Sequence, residues 1–244
     1  MRVALVTGGA TGIGAATVAA LAADKVSVAL QYSSSANEAK QIAEHLNSKG
    51  LKVEIFQADL SQKDCADKLV ASVKAKLGDI DILINNAGLM SDASIIEMSD
   101  ELWDQALNIN LTAAFKLIRA CAPSMVIKKW GRIINISSQV ALVGSANHAH
   151  YAAAKAGLLG LTYSAAKEYG ASGVTVNAVL PGRIQTNMIA QRSIGRLDEW
   201  LAQTPLNRLG KPEEVAGMIN FLASEMASYV TGASINVNGG LVMG

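Results

Sequence analysis

The chain has 244 residues, of which 50% are hydrophobic, and its 21 basic and 20 acidic residues give a formal net charge of +1. This balance gives no general affinity for nucleic acid or an anionic membrane surface, and no segment approaches the roughly 18 apolar residues that a membrane span needs. Because Cys65 and Cys121 form no metal-binding or redox motif and the three histidines lack ligand-like partners, we expect a reduced, soluble, cytoplasmic protein without a metal site.

Apolar runs alternate with helical patterns along the whole chain. Strands are predicted at residues 3–6, 26–31, 53–57, 80–84, 132–136, 174–179 and 234–237, and helices at 15–23, 38–48, 63–76, 103–127, 152–169 and 213–224. Repeated strand–helix units of this kind indicate an α/β fold, a doubly wound parallel sheet of about seven strands with helices on both faces. Since we find no linker and no shift in composition, one domain is predicted over residues 1–244.

The first predicted strand runs into a glycine-rich loop. Residues 7–14 carry Gly8, Gly12 and Gly14, and an Ala-rich helix follows them. Glycines let the backbone come close to a pyrophosphate group, and the N-terminus of a helix favours its negative charge. The spacing differs from the usual G-x-G-x-x-G fingerprint, and a tight strand–helix turn without a ligand is the alternative interpretation.

A second motif combines a phenol and an ammonium group on one predicted helix. Tyr151 and Lys155 are four residues apart and therefore share a helix face, and Ser138 precedes Tyr151 by thirteen residues. A free phenol has a pKa of about 10, and a nearby cation lowers it by favouring the phenolate. The pair predicts a proton donor that works near neutral pH, although a solvated helix face is the alternative interpretation.

Further short motifs accompany these two along the chain. They are Asn85-Asn86-Ala87-Gly88, Asn110, Pro181-Gly182, Asn238-Gly239-Gly240 and the segment from Leu206 to Ala216. In this order and at this spacing the motifs resemble the short-chain dehydrogenase/reductase family, and within it most of all the bacterial 3-oxoacyl-(acyl carrier protein) reductases. The resemblance covers essentially the whole chain. It implies a Rossmann-type fold and an NAD(P)-dependent oxidoreductase that acts on a carbonyl or a secondary alcohol. A nucleotide-sensing protein without chemistry is the alternative, but such relatives usually lack the Tyr or the Lys.

The resemblance implies catalytic roles for Asn110, Ser138, Tyr151 and Lys155. Tyr151 would exchange a proton with the substrate oxygen, Lys155 would lower the pKa of that phenol and hold the nicotinamide ribose, and Ser138 would position the carbonyl group. Asn110 would hold a water molecule that links Lys155 to solvent. Ser138 is preferred to Ser137 because its spacing to Tyr151 matches the family, although a serine at a strand end can also simply satisfy the loop backbone.

The resemblance also implies a set of residues that contact the cofactor. They are Gly8, Thr11, Gly12, Ile13, Gly14, Tyr32, Ser33, Ser34, Asp59, Leu60, Asn86, Ala87, Gly88, Tyr151, Lys155, Pro181, Gly182, Ile184 and Thr186. Asp59 has an equally strong alternative as a helix N-cap, since a helical segment is expected to begin at Ser61. Asn85 and Asn86 are interpreted as half structural, tying the fourth strand to its neighbours, and half cofactor-lining.

The end of the second predicted strand bears on the choice between NAD and NADP. NAD-selective relatives commonly carry an Asp there, whereas this strand ends at Gln31-Tyr32 and no carboxylate follows before Glu38. The hydroxyl groups of residues 33–35 could accept a 2′-phosphate, but the Arg that NADP-selective relatives often have at the position of Thr11 is missing. We therefore expect a moderate preference for NADP, with NAD also accepted.

Two classes of substrate are consistent with the sequence. One is a 3-oxoacyl thioester on an acyl carrier protein, as in fatty-acid or polyketide-type synthesis, and the other is a small secondary alcohol, sugar or ketone. An acidic carrier needs basic residues near the pocket mouth, for which Lys128 and Lys129 are candidates. Ser172 stands where the carrier-protein reductases often have Arg, which weakens this argument. Arg183 and Asn187 replace an apolar residue and an Asp of the family pattern and alter the pocket rim.

Three further expectations concern the surroundings of the site. Residues 182–207 resemble a mobile segment that covers the substrate, and an ordinary pair of surface helices is the alternative. His148 and His150 are expected to be partly exposed residues without a catalytic role. A homotetramer is expected from the family and from the apolar faces of the helical stretches 111–122 and 152–166.

Overall fold

Seven parallel strands form the central sheet of the computed structural model, which describes residues 1–190 and 193–243. They are β1 (Val3–Val6), β2 (Ser27–Tyr32), β3 (Val53–Gln57), β4 (Ile82–Asn85), β5 (Gly131–Ile136), β6 (Val174–Pro181) and β7 (Ser234–Val237). Their order across the sheet is β3-β2-β1-β4-β5-β6-β7. The chain winds outward from β1 on one side and from β4 on the other, which confirms the predicted doubly wound α/β fold.

Helices connect the strands. They are α1 (Gly12–Ala23), α2 (Ala36–Asn47), α3 (Cys65–Leu77), α4 (Asp100–Leu107), α5 (Ala113–Lys128), α6 (Val140–Val143), α7 (Ala149–Tyr169), α8 (Asn187–Ala190), α9 (Leu197–Ala202) and α10 (Pro212–Ala223). The segment expected to cover the substrate contains the two short helices α8 and α9, while Gln191 and Arg192 within it lie outside the described residues. In the described part of the chain, no helix is both long and apolar enough to cross a membrane.

The sheet is covered on both faces, because successive side chains of a strand point to opposite sides. In β1, Val6 packs into the core shared with α1, α2 and α10, whereas Leu5 packs into the core shared with α3, α5 and α7. All four β1 residues are buried, as expected for a strand between two helical layers. Both layers hold the strands in register, so loops from several strands meet at one edge of the sheet.

The helix predicted over residues 103–127 is in fact divided. A π-helical turn at Asn108–Thr112 separates α4 from α5, and the N–H of Ala113 donates to the carbonyl oxygen of Asn108, five residues back. Nδ2 of Asn110 donates to the carbonyl oxygen of Ala106 at 2.9 Å, and so a side chain replaces a backbone donor at this point of the helix. Such π-turns are frequent at functional sites, and the hydrophobic pattern alone did not reveal this one.

Candidate active site

A cavity of about 530 Å³ lies at the carboxyl edge of the sheet, where β1, β4, β5 and β6 end. Ligands bind at this edge in doubly wound sheets because the strand order reverses there and leaves a crevice. The predicted site residues that line the cavity are Gly8, Thr11, Gly12, Ile13, Asn86, Ala87, Gly88, Ser138, Tyr151, Lys155, Pro181, Gly182, Ile184 and Thr186. Residues more than 170 positions apart in the chain therefore share one space.

The glycine-rich loop forms one end of the cavity. Gly8 and Gly12 have positive φ angles of 61° and 51°, which turn the chain from β1 into α1. Thr11 at the N-cap makes no side-chain capping bond, and the first turn of α1 carries no acidic residue. The first N–H groups of α1 thus lack a side-chain acceptor, and the residues present fit the pyrophosphate of a dinucleotide.

Two side-chain amides hold this loop, and one of them, the buried Gln31, was not predicted. Gln31, 2% exposed, accepts a hydrogen bond from the Gly8 N–H at Oε1 (2.9 Å) and donates from Nε2 to the carbonyl oxygen of Ala58 (2.7 Å). Nδ2 of Asn86 donates to the carbonyl oxygens of Thr7 and Gly8 at 2.9 and 3.1 Å. A polar residue ending an otherwise apolar strand was the available signal for Gln31.

Asn85 and Asn86 both make structural hydrogen bonds, but only Asn86 lines the cavity. Nδ2 of Asn85 donates to Oδ1 of the buried Asn135 at 2.8 Å and so ties β4 to β5, away from the cavity. Asn86 lines the cavity beside the glycine loop. Asn85 is thus structural, whereas Asn86 both holds the glycine-rich loop and lines the cavity.

Tyr151 and Lys155 lie one turn apart on α7, and both reach the cavity. Nζ of Lys155 is 5.5 Å from the centre of the Tyr151 ring and donates to the carbonyl oxygen of Ile136 at 2.7 Å. Burial lowers the pKa of Lys155 to about 8. Tyr151 is 9% exposed, so both groups work in a space from which most water is excluded.

The two serines at the end of β5 differ in their roles. Ser137 is buried and donates from Oγ to the carbonyl oxygen of Lys155 at 2.8 Å, which anchors α7 to the sheet. Oγ of Ser138 accepts a weak hydrogen bond of 3.3 Å from the Val140 N–H and faces the cavity beside Tyr151. Ser138 is therefore the hydroxyl with donor capacity toward a ligand, in agreement with the preference based on spacing.

Asn110 does not line the cavity but supports its wall. Its Oδ1 accepts from the Leu89 N–H at 3.2 Å, and its Nδ2 donates to the Leu89 carbonyl oxygen at 2.9 Å. A Cβ atom on Gly88 would lie 2.6 Å from Asn110 Oδ1 and 3.5 Å from Lys155 Nζ. Asn110 and Lys155 thus face the same stretch of backbone, which only glycine allows to run between them.

The other predicted cofactor contacts lie outside this cavity. They are Gly14, Tyr32, Ser33, Ser34, Asp59 and Leu60. Asp59 is not the N-cap of α3, because that helix begins at Cys65 with Asp64 at its N-cap position rather than at Ser61. The Asp59 carboxylate instead accepts hydrogen bonds from Ser61 and Gln62, and these bonds, that from Gln62 first, lower its pKa.

The lysines considered for carrier docking are not at the mouth of the cavity. Lys128 and Lys129 precede β5, so they lie at the amino edge of the sheet, opposite to the cavity. Nζ of Lys128 is also 2.7 Å from Asp81 Oδ1 and 3.7 Å from Asp79 Oδ2. The expectation that these two lysines flank the pocket of their own chain is wrong, because the length of the strands separates the two edges.

The two histidines before Tyr151 differ in environment. Nε2 of His148 lies 2.7 Å from Asp92 Oδ1 and its Nδ1 lies 2.9 Å from Ser145 Oγ, and all three residues line the cavity. His150, expected to be partly exposed, is instead 0% exposed, and its ring nitrogens have no hydrogen-bond partner among the described residues. Burial lowers the pKa of His150. It lies in the first turn of α7, on the buried side of that helix.

Arg183, expected at the pocket rim, forms a cavity wall with Trp200, which sequence patterns did not reveal. Nη1 of Arg183 donates to the Trp200 carbonyl oxygen at 2.7 Å, and its guanidinium carbon is 4.9 Å from the centre of the Trp200 ring. Arg196 approaches the same ring at 5.5 Å. Trp200 is 7% exposed, so two arginines and a buried indole define the side of the cavity formed by α9.

The chain is similar to known proteins over nearly its whole length. The profile of a family described as enoyl-(acyl carrier protein) reductase matches residues 8–242. Among curated proteins, the chain is similar to a 3-oxoacyl-(acyl carrier protein) reductase of Staphylococcus epidermidis, with 38% identity over 98% of each chain. It is likewise similar to one of Synechocystis, with 41% identity over 99% of this chain and 97% of the relative.

Solved structures with the same fold include two described with bound nucleotide. One is a blue fluorescent protein from a metagenomic library in complex with NADPH, with a TM-score of 0.92 and 39% identity over 99% of this chain and 98% of that one. The other is a putative NAD(P)-dependent gluconate 5-dehydrogenase from Beutenbergia cavernae with NADP at low occupancy, with a TM-score of 0.94 and 35% identity over 98% and 96% of the two chains. The similarity in sequence and the similarity in fold to these proteins therefore extend over the same residues of the chain.

Proposed function

The chain belongs to the short-chain dehydrogenase/reductase family, and on this premise we propose that it is an NAD(P)H-dependent reductase of 3-oxoacyl thioesters. The observation that carries the proposal is the meeting of Ser138, Tyr151 and Lys155 with the glycine-rich loop in one cavity. Full-length relatives described as 3-oxoacyl-(acyl carrier protein) reductases support the substrate class.

The N-terminus of α1 would hold the pyrophosphate of a dinucleotide, and Lys155 would hold its nicotinamide ribose. Gly12 and Ile13 offer backbone N–H groups to the phosphates, and Asn86 keeps the loop in shape through its bonds to Thr7 and Gly8. Bound NAD(P)H supplies the hydride, which no side chain can provide. We further propose a moderate preference for NADP over NAD, which the described complexes of two similar structures support.

Three side chains act on the substrate carbonyl group. Ser138 donates a hydrogen bond to the carbonyl oxygen and fixes its position. Tyr151 donates its phenolic proton to that oxygen as negative charge builds on it, which avoids a free alkoxide. The Lys155 ammonium, 5.5 Å from the ring centre, stabilises the resulting phenolate through its charge. In the oxidation direction, Tyr151 takes the proton back.

Asn110 has a positioning role. Its side chain holds both backbone groups of Leu89, and so the Gly88–Leu89 backbone remains next to Lys155 Nζ. A water molecule held here would connect Lys155 with solvent and return a proton to Tyr151 after each turnover.

A small ketone, sugar or secondary alcohol is the second candidate substrate. Arg183 and Arg196 favour it, because they make part of the cavity wall more polar than an acyl chain requires. The 35% identity to the putative gluconate 5-dehydrogenase points in the same direction.

The test is a reduction panel with NADPH and with NADH. Acetoacetyl-pantetheine, acetoacetyl thioesters of acyl carrier protein, acetone, cyclohexanone and 5-ketogluconate are compared by their kcat/KM values. We expect the thioesters to exceed the small ketones and the sugar acid by about tenfold or more. Higher kcat/KM for the ketogluconate would favour the second candidate, and oxidation of neither cofactor with any carbonyl compound would reject both.

We also propose that the protein works in the cytoplasm as a homotetramer. Exposed aromatic side chains on adjacent helices support the assembly, since Trp103 on α4 and Phe115 on α5 are 37% and 45% exposed. Apolar surface of this kind is usually covered in a closed symmetric assembly.

A further inference from the structure

Arg183 is held by neutral partners. Its guanidinium donates from Nη1 to the Trp200 carbonyl oxygen and from Nη2 to Gln203 Oε1, at 2.7 and 2.6 Å. No carboxylate among the described residues lies within ion-pair distance of it. A partly buried guanidinium usually has an anionic partner, because removing its charge from water is costly. Burial, the largest cause, lowers the pKa of Arg183, and the Glu199 carboxylate, which lies beyond ion-pair distance, offsets only part of this effect.

The charges of the cavity are unbalanced where Arg183 lies. Among the described residues that line it, Lys155, Arg183 and Arg196 are basic, and Asp92 is the one carboxylate. Asp92 is bonded to His148 on the loop opposite. Since the chain as a whole carries a formal charge of only +1, the positive charge is a local property of this cavity.

Arg183 lies near the part of the cavity that contains Ser138, where the proposed substrate would bind. It follows Gly182 at the end of β6, and the Gln139 N–H next to Ser138 donates to the carbonyl oxygen of Pro181 at 3.1 Å. Arg183 therefore lies next to the strand end that carries Ser138. The glycine-rich loop that fits the pyrophosphate contacts Thr186 instead, since a Cβ atom on Gly12 would lie 2.9 Å from Thr186 Cγ2.

We infer that Arg183 is a specificity-determining residue that binds an anionic group of the substrate, beyond its reacting carbonyl. Trp200 holds the guanidinium in place from one side, and Arg196, at the N-cap of α9, approaches the same ring but is paired with Glu199 at 3.6 Å, so Arg183 is the arginine left to bind an anion. A carboxylate or a phosphate oxygen would complete the coordination of Arg183. This inference rests on the proposed function, because it concerns a second contact of the same substrate.

Two pairs of ketones test the inference, and each pair differs in one negative charge. Acetoacetate is compared with methyl acetoacetate, and acetoacetyl phosphopantetheine with acetoacetyl pantetheine. The first pair detects a carboxylate on the substrate itself, and the second a phosphate at the end of the thioester arm. The values of kcat/KM are measured for the wild type, Arg183→Gln and Arg183→Lys. Lys49→Gln is the matched control, because Lys49 is exposed after α2, away from the cavity, and the variant has the same change in charge.

In the wild type, we expect the charged member of at least one pair to have the higher kcat/KM. In Arg183→Gln this advantage should fall by about tenfold to a hundredfold, the effect of losing one charge-assisted hydrogen bond. Arg183→Lys should restore part of it, and Lys49→Gln should leave it unchanged. The pair whose preference falls in Arg183→Gln shows whether Arg183 binds a carboxylate or a phosphate.

Two results would overturn the inference while leaving the proposed function intact. If Arg183→Gln lowered kcat/KM equally for the charged and the uncharged member of each pair, Arg183 would only hold α9 in place. A rise in the KM for NADPH, without a change in the preference between pair members, would mean that Arg183 serves the cofactor. Failure of the wild type to reduce any of the four ketones would instead refute the proposed function.

Discussion

Lys155 donates a hydrogen bond from Nζ to the carbonyl oxygen of Ile136, 2.7 Å away, at the carboxyl end of β5. The lysine is 3% exposed, and burial lowers its pKa to about 8 from the 10.5 of the free side chain. The ammonium thus remains charged at neutral pH in a place where that charge is costly. This is the state that would stabilise a Tyr151 phenolate in the proposed mechanism, and it makes the apo protein's stability depend on pH.

Lys155→Met should stabilise the apo protein at pH 7, and the gain should disappear at high pH. Below pH 8 both states of the wild type are protonated, and the folded state bears the full cost of burying the charge. Between pH 8 and about 10.4 the unfolded state binds more protons, so wild-type stability rises relative to the variant, by up to about 3 kcal/mol. Urea unfolding of both proteins at several pH values measures the difference, and a difference that is constant with pH would contradict the assignment of this pKa.

Tyr151→Phe should abolish turnover and leave the fold and cofactor binding nearly intact. Only the hydroxyl group is lost, and proton transfer by a positioned acid contributes about a hundredfold to ten-thousandfold. Tyr163→Phe is the matched control on the same helix, because its hydroxyl lies 2.8 Å from Ser234 Oγ and not in the cavity. The measurement is the steady-state rate of the wild type and of both variants. A Tyr151→Phe variant with more than about a tenth of the wild-type rate would refute the role of Tyr151 as the acid.

Gly14→Ala should disrupt the glycine-rich loop. A Cβ atom there would lie 2.1 Å from the Gly8 carbonyl oxygen and 2.7 Å from Asn86 Nδ2, and neither the backbone nor the bonded amide can withdraw without moving the loop. We expect at least a tenfold rise in the Kd for NADPH, or about 1.4 kcal/mol. Gly217→Ala in α10 is the control, since its Cβ meets nothing within 4 Å, and it should stabilise the fold by about 0.5–1 kcal/mol. Unchanged NADPH binding in Gly14→Ala would be evidence against a cofactor site at this loop.

The enzyme should prefer NADPH moderately. Ser33 and Ser34 are exposed after β2, and no carboxylate follows until Glu38, so a 2′-phosphate meets no repulsion there but also no cation between Lys25 and Lys40. The ratio of kcat/KM for NADPH and NADH with one good substrate measures the preference. Tyr32→Asp should shift that ratio toward NADH, because it adds the carboxylate that repels a 2′-phosphate. A wild-type preference for NADH of about tenfold or more would contradict this account of the pocket.

Light scattering at micromolar concentration should give the mass of a tetramer rather than 25.4 kDa. In the proposed tetramer the exposed apolar side chains on α4 and α5 would provide the contact surface, and Phe115→Glu should weaken the assembly, because it places a charge where an apolar contact is expected. A wild-type mass near that of one chain would rule the tetramer out. Retention of the tetramer in Phe115→Glu would mean that another surface holds it together.

Local sequence determined the order of strands and helices and the pairing of Tyr151 with Lys155. Strand and helix periodicity, glycine turns and the four-residue spacing on a helix act over a few residues, so each can be read without knowing the fold. The carboxyl-edge rule for doubly wound sheets then predicts that residues near strand ends meet. The resemblance to the family's motifs assigns Gly12, Asn86, Ser138 and Gly182 to one site, and the carboxyl-edge rule agrees with that assignment.

Only the tertiary structure decided the contacts between distant segments. Gln31 supports the Gly8 backbone, Asn110 replaces a helix donor in the π-turn, and Lys128 pairs with Asp81 at the edge opposite to the cavity. Arg183 reaches Trp200 across seventeen residues of chain. None of these contacts leaves a periodic signal, because each depends on where two elements pack in space, and packing follows from the whole core rather than from any one segment.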